Sequence, residues 1–275
     1  MNYLAQALRR TYKVITKHWL LMGVLVLFQL ALFVSLGYVG LTYQMKIFEN
    51  IQGVLDPIQN ANYNATSLQE GGLFTAEYAR VYESYNSLVG NVKGLLIWIL
   101  IIFLIGNGLI WVATLDLIHP ETKSWKKRSQ CWLKYVVLSV LILGLPLMLS
   151  IFALWQMMKA GIGVESITNI IQGMGYGLIG IYIILQIALA FISAQTWREF
   201  SRLFLHSFKK IQWILLTLII NLLVIAASIA LVIFVMGYQN VILLVLASLI
   251  MVKTIVLSRI FWMAVLQELT HEREL

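Results

Sequence analysis

Six long apolar runs constrain this chain more than any other feature of its sequence. A hydrocarbon core of about 30 Å is crossed by roughly 20 helical residues, and each run is long enough. Hydrophobic residues make up 60% of the 275 positions and charged residues only 12%. Soluble domains carry about 25% charged residues, so lipid must be the solvent for much of this surface. The predicted spans are 19–41, 94–117, 133–157, 174–194, 214–236 and 241–261.

These runs predict an all-α membrane protein. Inside a bilayer each backbone N–H and C=O needs a partner within the protein, and a helix supplies these partners by itself. The short alternating runs typical of barrel strands are absent from the sequence. We therefore predict one domain over 1–275, with six transmembrane helices paired as three hairpins.

Basic residues are distributed unequally between the two sides of these spans. Fifteen of the 20 lysines and arginines lie before spans one, three and five or at the end of span six and beyond, whereas four lie on the other side. Cytoplasmic segments are the ones that accumulate Lys and Arg. The asymmetry predicts a multi-pass protein with both termini in the cytoplasm. It also accounts for the net charge of +8 without a nucleic-acid partner.

The segment 42–93 separates the first two spans and is predicted to be a helical hairpin outside the cytoplasm. Apolar residues recur at helical spacing over 47–58 and 78–92. Breakers lie between these stretches, including Asp56-Pro57 and Gly71-Gly72, and they predict an irregular tip.

Two kinds of candidate site lie on this outer hairpin. Asn64-Ala65-Thr66 has the N-glycosylation pattern, so Asn64 is a candidate acceptor, although a three-residue pattern often arises by chance. The second is an aromatic surface for a protein partner, formed by Tyr63, Tyr78, Tyr82 and Tyr85.

Basic and aromatic residues precede each outward span. Tyr12-Lys13, Trp125-Lys126 and His206 each lie seven residues before a tryptophan, namely Trp19, Trp132 and Trp213. A triplicated hairpin predicts this spacing, and so does independent selection for interfacial anchors. Before spans one and five the pattern is also amphipathic, with Leu4, Leu8, Tyr12 and Ile15 on one helical face. We expect these segments to lie among anionic lipid headgroups or to serve only as orientation signals.

A few polar residues interrupt the spans and form the candidate intramembrane site. Lys253 lies well inside span six, where a charge is costly, and Asp116 is expected to pair with it or with Arg259. The amides Asn107, Gln186 and Asn221 are the other members. Such amides usually bond neighbouring helices, and the alternative is a solute path.

The remaining motifs give little support to catalysis or metal binding. The pattern Gly175-x-Gly177-x-x-Gly180 lacks the preceding strand of a dinucleotide site, and Gly173, Gly177, Gly106 and Gly108 suit close helix packing instead. His18, His119, His206 and His271 come from four separate segments without zinc spacing. The single cysteine, Cys131, excludes an intrachain disulfide. We expect no enzyme activity and no cofactor.

The basic, aromatic segments before the spans give the chain a resemblance to a known class of proteins over nearly its whole length. Two of these segments are Leu8-Arg9-Arg10-Thr11-Tyr12-Lys13 and Phe204-Leu205-His206-Ser207-Phe208-Lys209-Lys210. The chain resembles poorly characterised prokaryotic six-helix membrane proteins, including the membrane domain of glycerophosphodiester phosphodiesterases. The resemblance implies six helices and brings no catalytic residue with it. The expected function is that of an accessory subunit that binds a partner through the outer hairpin. The alternative is a transporter or permease with a path between the hairpins.

Overall fold

The computed structural model describes residues 3–60, 73–118, 124–146, 148–149, 152, 164–194 and 196–271. Over these residues the chain consists of helices joined by short turns, and no strand occurs among them. Four helices are long and apolar enough to cross a membrane: Trp19–Asp56, Ala79–Ile118, Trp197–Met236 and Val241–Leu269. The prediction of an all-helical chain with several membrane-crossing helices is therefore confirmed.

The helices are numbered here in chain order. They are α1 (Tyr3–Lys17), α2 (Trp19–Asn60), α3 (Leu73–Ile102), α4 (Gly108–Ile118), α5 (Trp125–Ser139), α6 (Val164–Leu189), α7 (Trp197–Ser207), α8 (Ile211–Met236) and α9 (Val241–His271). A π-helical segment, Phe103–Asn107, joins α3 to α4, and a second one, Val140–Gly144, follows α5. A 3-10 turn, Phe208–Lys210, joins α7 to α8.

Four of the six predicted spans lie within the four long apolar helices. The predicted span 174–194 coincides with a shorter apolar helix, Gly175–Leu189. The predicted span 133–157 begins in α5 and the π segment after it, and part of it lies outside the described residues. Six spans in three hairpins therefore stays a prediction.

The chain divides into two compact units. The first contains Met1–Gln29 and Gly108–Leu275, and the second contains Leu30–Asn107. In the first unit α9 packs against α1, α4, α7 and α8. Its fully buried core includes Leu185, Ile260 and Met263, all at 1% exposure or less. Burial of each such side chain contributes about 1.5–3 kcal/mol when the alternative is water.

The second unit is held by small residues at three levels of α2 and α3. A Cβ added to Gly53 would lie 2.7 Å from Ser84 Oγ, and one added to Gly94 would lie 2.8 Å from the Tyr43 ring. A Cβ added to Gly106, in the π-helical segment after α3, would lie 2.9 Å from Leu32 Cδ1. The contacts move back along α2 as they move forward along α3, so the two helices run antiparallel here. Small residues permit this close approach of helix backbones.

The helical stretch predicted over 47–58 lies within α2, which runs through Asp56-Pro57 to Asn60. The rest of the predicted irregular tip, including Gly71-Gly72, lies outside the described residues. The helical prediction for both sides of the outer hairpin is confirmed over 42–60 and 73–93.

Candidate functional site

The first candidate site is the arm, defined here as residues 42–60 and 73–93. Large apolar and aromatic side chains are exposed along it, among them Met45, Phe48 and Tyr82. Charged side chains such as Lys46 and Glu49 are exposed between them. This mixture differs from the uniformly apolar surface that suits lipid chains. Exposed apolar area of this kind, rimmed by charge, is typical of a protein-binding surface.

The structure describes the side chains of two of the four tyrosines predicted to form the partner surface. Tyr82 is 57% exposed and Tyr85 is 54% exposed, both on α3. Tyr78 also lies in α3, and nothing is described of its side chain. Tyr63 and the candidate glycosylation site Asn64 lie outside the described residues.

The second candidate site is a cluster around Arg259 in the first unit. The Arg259 guanidinium lies 5.4 Å from the centroid of the Trp111 ring, close enough for a cation–π interaction. Tyr135 and Tyr182 are the titratable side chains that act on Arg259 electrostatically. Trp111 and Tyr135 are fully buried. Helices α4, α5, α6 and α9 thus each contribute one side chain to a single cationic, aromatic cluster.

The other predicted charged members lie in different surroundings. Asp116 forms an ion pair with Arg128, with 2.7 Å between Asp116 Oδ2 and Arg128 Nε. Arg128 was not among the partners predicted for Asp116 from the sequence. Lys253 is exposed on α9. A long lysine side chain on such a face can carry its ammonium group toward the headgroups.

The three predicted amides are described separately, because Asn107 belongs to the second unit. The Gln186 backbone carbonyl accepts a 3.2 Å hydrogen bond from Trp262 Nε1, and the Gln186 side chain bonds Tyr182 one turn away. Asn221 is buried on α8 in the first unit. Asn107 is buried in the second unit, within a π-helical segment. Gln186 is therefore the amide that adjoins the Arg259 cluster, through Tyr182.

Sequence analysis missed several buried polar groups. Trp111 is fully buried, and its indole N–H has no hydrogen-bond partner among the described residues. Gln29, on α2, is 3% exposed, and its Oε1 also lacks a partner there. An amide in the middle of an apolar run was a signal for Gln29. Nothing in the sequence indicated a role for Trp111, because its contact with Arg259 arises only from the packing of distant helices.

The close-packing prediction is confirmed for two glycines. A Cβ added to Gly108 would lie 2.9 Å from Tyr135, and one added to Gly106 would lie 2.9 Å from Leu32. At Gly173 and Gly177 an added Cβ would meet nothing within 4 Å among the residues that the structure describes. Close packing at those two glycines stays a prediction.

Cys131 is buried in the first unit. Its Sγ lies 3.8 Å from the Ile192 carbonyl oxygen, toward which the thiol donates. Burial raises the pKa of this thiol above its ordinary value, so it is protonated at neutral pH. Within the described part of the chain, no group of three or more His, Cys, Asp or Glu side chains could hold a metal ion. His119 lies outside that part.

Comparison with known proteins returned no matching family model, no matching curated protein and no matching solved structure. The functional argument therefore depends on this chain's own residues.

Proposed function

We propose that this chain is a non-enzymatic, six-span membrane subunit that binds a protein partner through the arm. The observation that carries the proposal is the exposure of Met45, Phe48, Tyr82 and Tyr85 on a segment that also bears exposed charges. Tyrosine and methionine are enriched in protein interfaces, and a few such anchors often supply most of the binding energy.

Helix length supports a projecting arm. Helix α2 has 42 residues, which corresponds to roughly 63 Å at 1.5 Å per residue. The hydrocarbon core is about 30 Å thick, so even a tilted α2 extends well beyond one face. The exposed charges Lys46, Glu49, Glu83 and Lys93 lie in the part assigned to that extension.

The proposed topology has both termini on one side. Arg10 Nη1 lies 3.1 Å from Glu268 Oε1, and this contact supports placing the start of the first predicted span and the end of the last one on the same side. The six proposed crossings, an even number, agree with it. The excess of basic residues on that side favours the cytoplasm. The arm, at the opposite end of α2, would then lie outside.

A permease remains the weaker alternative. A transport path normally requires polar groups that converge near the membrane midplane. Lys253 is exposed on α9 and so gives no support to such a group inside the first unit. Among the described residues, the Arg259 cluster is the feature that favours this alternative, because a half-buried cation within a predicted span is a functional candidate by default.

The test is site-specific photo-crosslinking in native membranes, with the photoreactive residue at Ser87 on the arm. A discrete crosslinked species is expected, and the pair Tyr82→Ser and Tyr85→Ser should abolish it without lowering the amount of inserted chain. Tyr176→Ser is the matched control, since Tyr176 is 75% exposed on α6, outside the arm. Loss of the crosslink with Tyr176→Ser, or its persistence in the arm double variant, would contradict the proposal. So would purification of the chain as a stable monomer without a partner.

A further inference from the structure

Helix α1 packs against α9 of the first unit through one side. Ala7 is fully buried there and Thr11 is nearly so, and Leu4, Val14 and Ile15 are half-buried beside them. Arg10 on the same side forms the ion pair with Glu268 at the end of α9. The other side of the helix faces away from the protein.

Two large apolar side chains of α1 face away from the protein. Leu8 is 62% exposed and Tyr12 is 71% exposed, one turn apart. Arg9, Lys13 and Lys17 are exposed on the neighbouring face, and α1 contains no acidic residue. In water this arrangement would leave apolar area unburied and like charges uncompensated. At a lipid–water boundary, apolar and basic side chains on the outside of a helix are both stabilised.

Helix α7 repeats the arrangement. Phe200 and Ser207 are buried against the protein. The outward side combines two apolar side chains with two bases, namely Trp197, Leu205, Arg198 and Arg202. Glu199 is the one acidic residue of this helix.

Helices α1 and α7 adjoin each other on the surface of α9. Both pack against α9. Lys210, three residues after α7, donates a 3.1 Å hydrogen bond to the Tyr3 hydroxyl of α1 and lies 4.6 Å from that ring's centroid. Tyr3 also contacts the Trp213 ring edge-on, at 5.8 Å between centroids. The end of α7 and the start of α1 therefore form one continuous basic, aromatic rim.

We infer that the outward faces of α1 and α7 form a binding surface for anionic phospholipid headgroups. Lys13, Lys17 and Arg202 contact the phosphates, while Leu8, Tyr12 and Leu205 enter the acyl-chain boundary. This goes beyond the proposed function, because it concerns the lipid and requires no protein partner on the arm. Charge complementarity selects the ligand: the described outward side chains of these two helices supply five basic groups, and the half-buried Glu199 is the one acidic residue in the two helices.

The test uses native mass spectrometry of the detergent-solubilised chain with equimolar phosphatidylglycerol and phosphatidylcholine of matched acyl chains. The wild-type chain should retain more phosphatidylglycerol. Each basic residue near a membrane surface contributes about 1 kcal/mol, or roughly fivefold. The double variant Lys13→Gln with Arg202→Gln should therefore lower the ratio of bound phosphatidylglycerol to phosphatidylcholine by up to about 25-fold. Orientation during insertion does not affect a measurement made in detergent.

Two controls distinguish this surface from general basicity. Lys46→Gln with Lys93→Gln removes two bases from the arm and should leave the ratio unchanged. Lys13→Arg with Arg202→Lys keeps both charges and should retain the preference. Equal binding of the two lipids by the wild-type chain would overturn the inference, as would an unchanged ratio in the glutamine double variant. Displacement of the lipid by millimolar inorganic phosphate would also overturn it, because a free-phosphate site would then explain the selectivity.

Discussion

Gly108 offers the sharpest test of the packing in the first unit. It lies at the start of α4, where a Cβ would be 2.9 Å from Tyr135 Cδ1 and 3.0 Å from Trp132 Nε1. Tyr135 is fully buried and cannot move into open space. We predict that Gly108→Ala destabilises the fold, whereas Gly23→Ala does not. Gly23 is the matched control because it lies in a helix of the same unit with nothing within 4 Å of an added Cβ.

The expected magnitude follows from two opposing effects. Alanine in place of glycine within a helix gains roughly 0.5–1 kcal/mol at both positions. Overpacking of a well-filled interior costs about 1–3 kcal/mol, and it applies only at Gly108. The two variants should therefore differ by about 2 kcal/mol in free energy of unfolding. For a chain of this size that difference corresponds to roughly 4–8 °C in unfolding midpoint.

The chain supplies its own reporter for this measurement. Cys131 is its single cysteine and is buried beside the contacts in question. A fluorogenic maleimide should therefore remain dark with the native, detergent-solubilised chain and become fluorescent as heating exposes the thiol. The packing described for Gly108 would be refuted if its alanine variant melted at or above the midpoint of Gly23→Ala.

Three further predictions use the same reporter. Asp116→Asn removes the anion of a partly buried ion pair with Arg128 and should cost about 2 kcal/mol, so an unchanged midpoint would contradict the pair. Because burial raises the pKa of Cys131, maleimide at pH 7.5 should react far more slowly with the native chain than with the denatured chain, and the native rate should rise with pH toward that raised pKa; equal rates would contradict its burial. Arg259→Lys should lower the midpoint, because an ammonium cannot stack on Trp111 as a guanidinium does, whereas Arg259→Met, which removes the half-buried charge, should be close to neutral; the reverse order would argue against the cation–π contact.

Sequence periodicity predicted the long helices well, because lipid imposes a simple rule on them. Runs of about 20 apolar residues have few alternatives to a helix in a bilayer. The arm was predictable for the same reason, since the apolar spacing over 47–58 and 78–92 continues the helical period of the spans. Asp56-Pro57, where the irregular tip was predicted to begin, lies within α2, which runs to Asn60.

The candidate intramembrane site was less predictable. Sequence identifies polar residues within apolar runs, but their partners are chosen by the packing of distant helices. Asp116 was expected to pair with Lys253 or Arg259, yet the ion pair in the fold joins it to Arg128. Trp111 has no distinguishing feature in the sequence, and its contact with the Arg259 guanidinium is visible only in the fold. Helical periodicity cannot indicate which face of one helix meets which face of another.

The amphipathic helix before span one was also predicted only in part. Sequence predicted that Leu4, Leu8, Tyr12 and Ile15 share an apolar face; Leu8 and Tyr12 are exposed on α1, whereas Leu4 and Ile15 are half-buried. It did not show that Ala7 and Thr11 attach the helix to the protein. That attachment is what leaves the apolar and basic faces available to lipid.

Labelling with a membrane-impermeant maleimide tests the proposed topology most directly. In a Cys131→Ser background, single cysteines replace Ser87 on the arm and Ser129 near the start of α5, both exposed. The account predicts that Ser87→Cys is labelled in intact cells, whereas Ser129→Cys is labelled only after the membrane is permeabilised. Labelling of Ser129→Cys in intact cells, or protection of Ser87→Cys until permeabilisation, would contradict an arm outside the cytoplasm and the partner-binding function proposed for it.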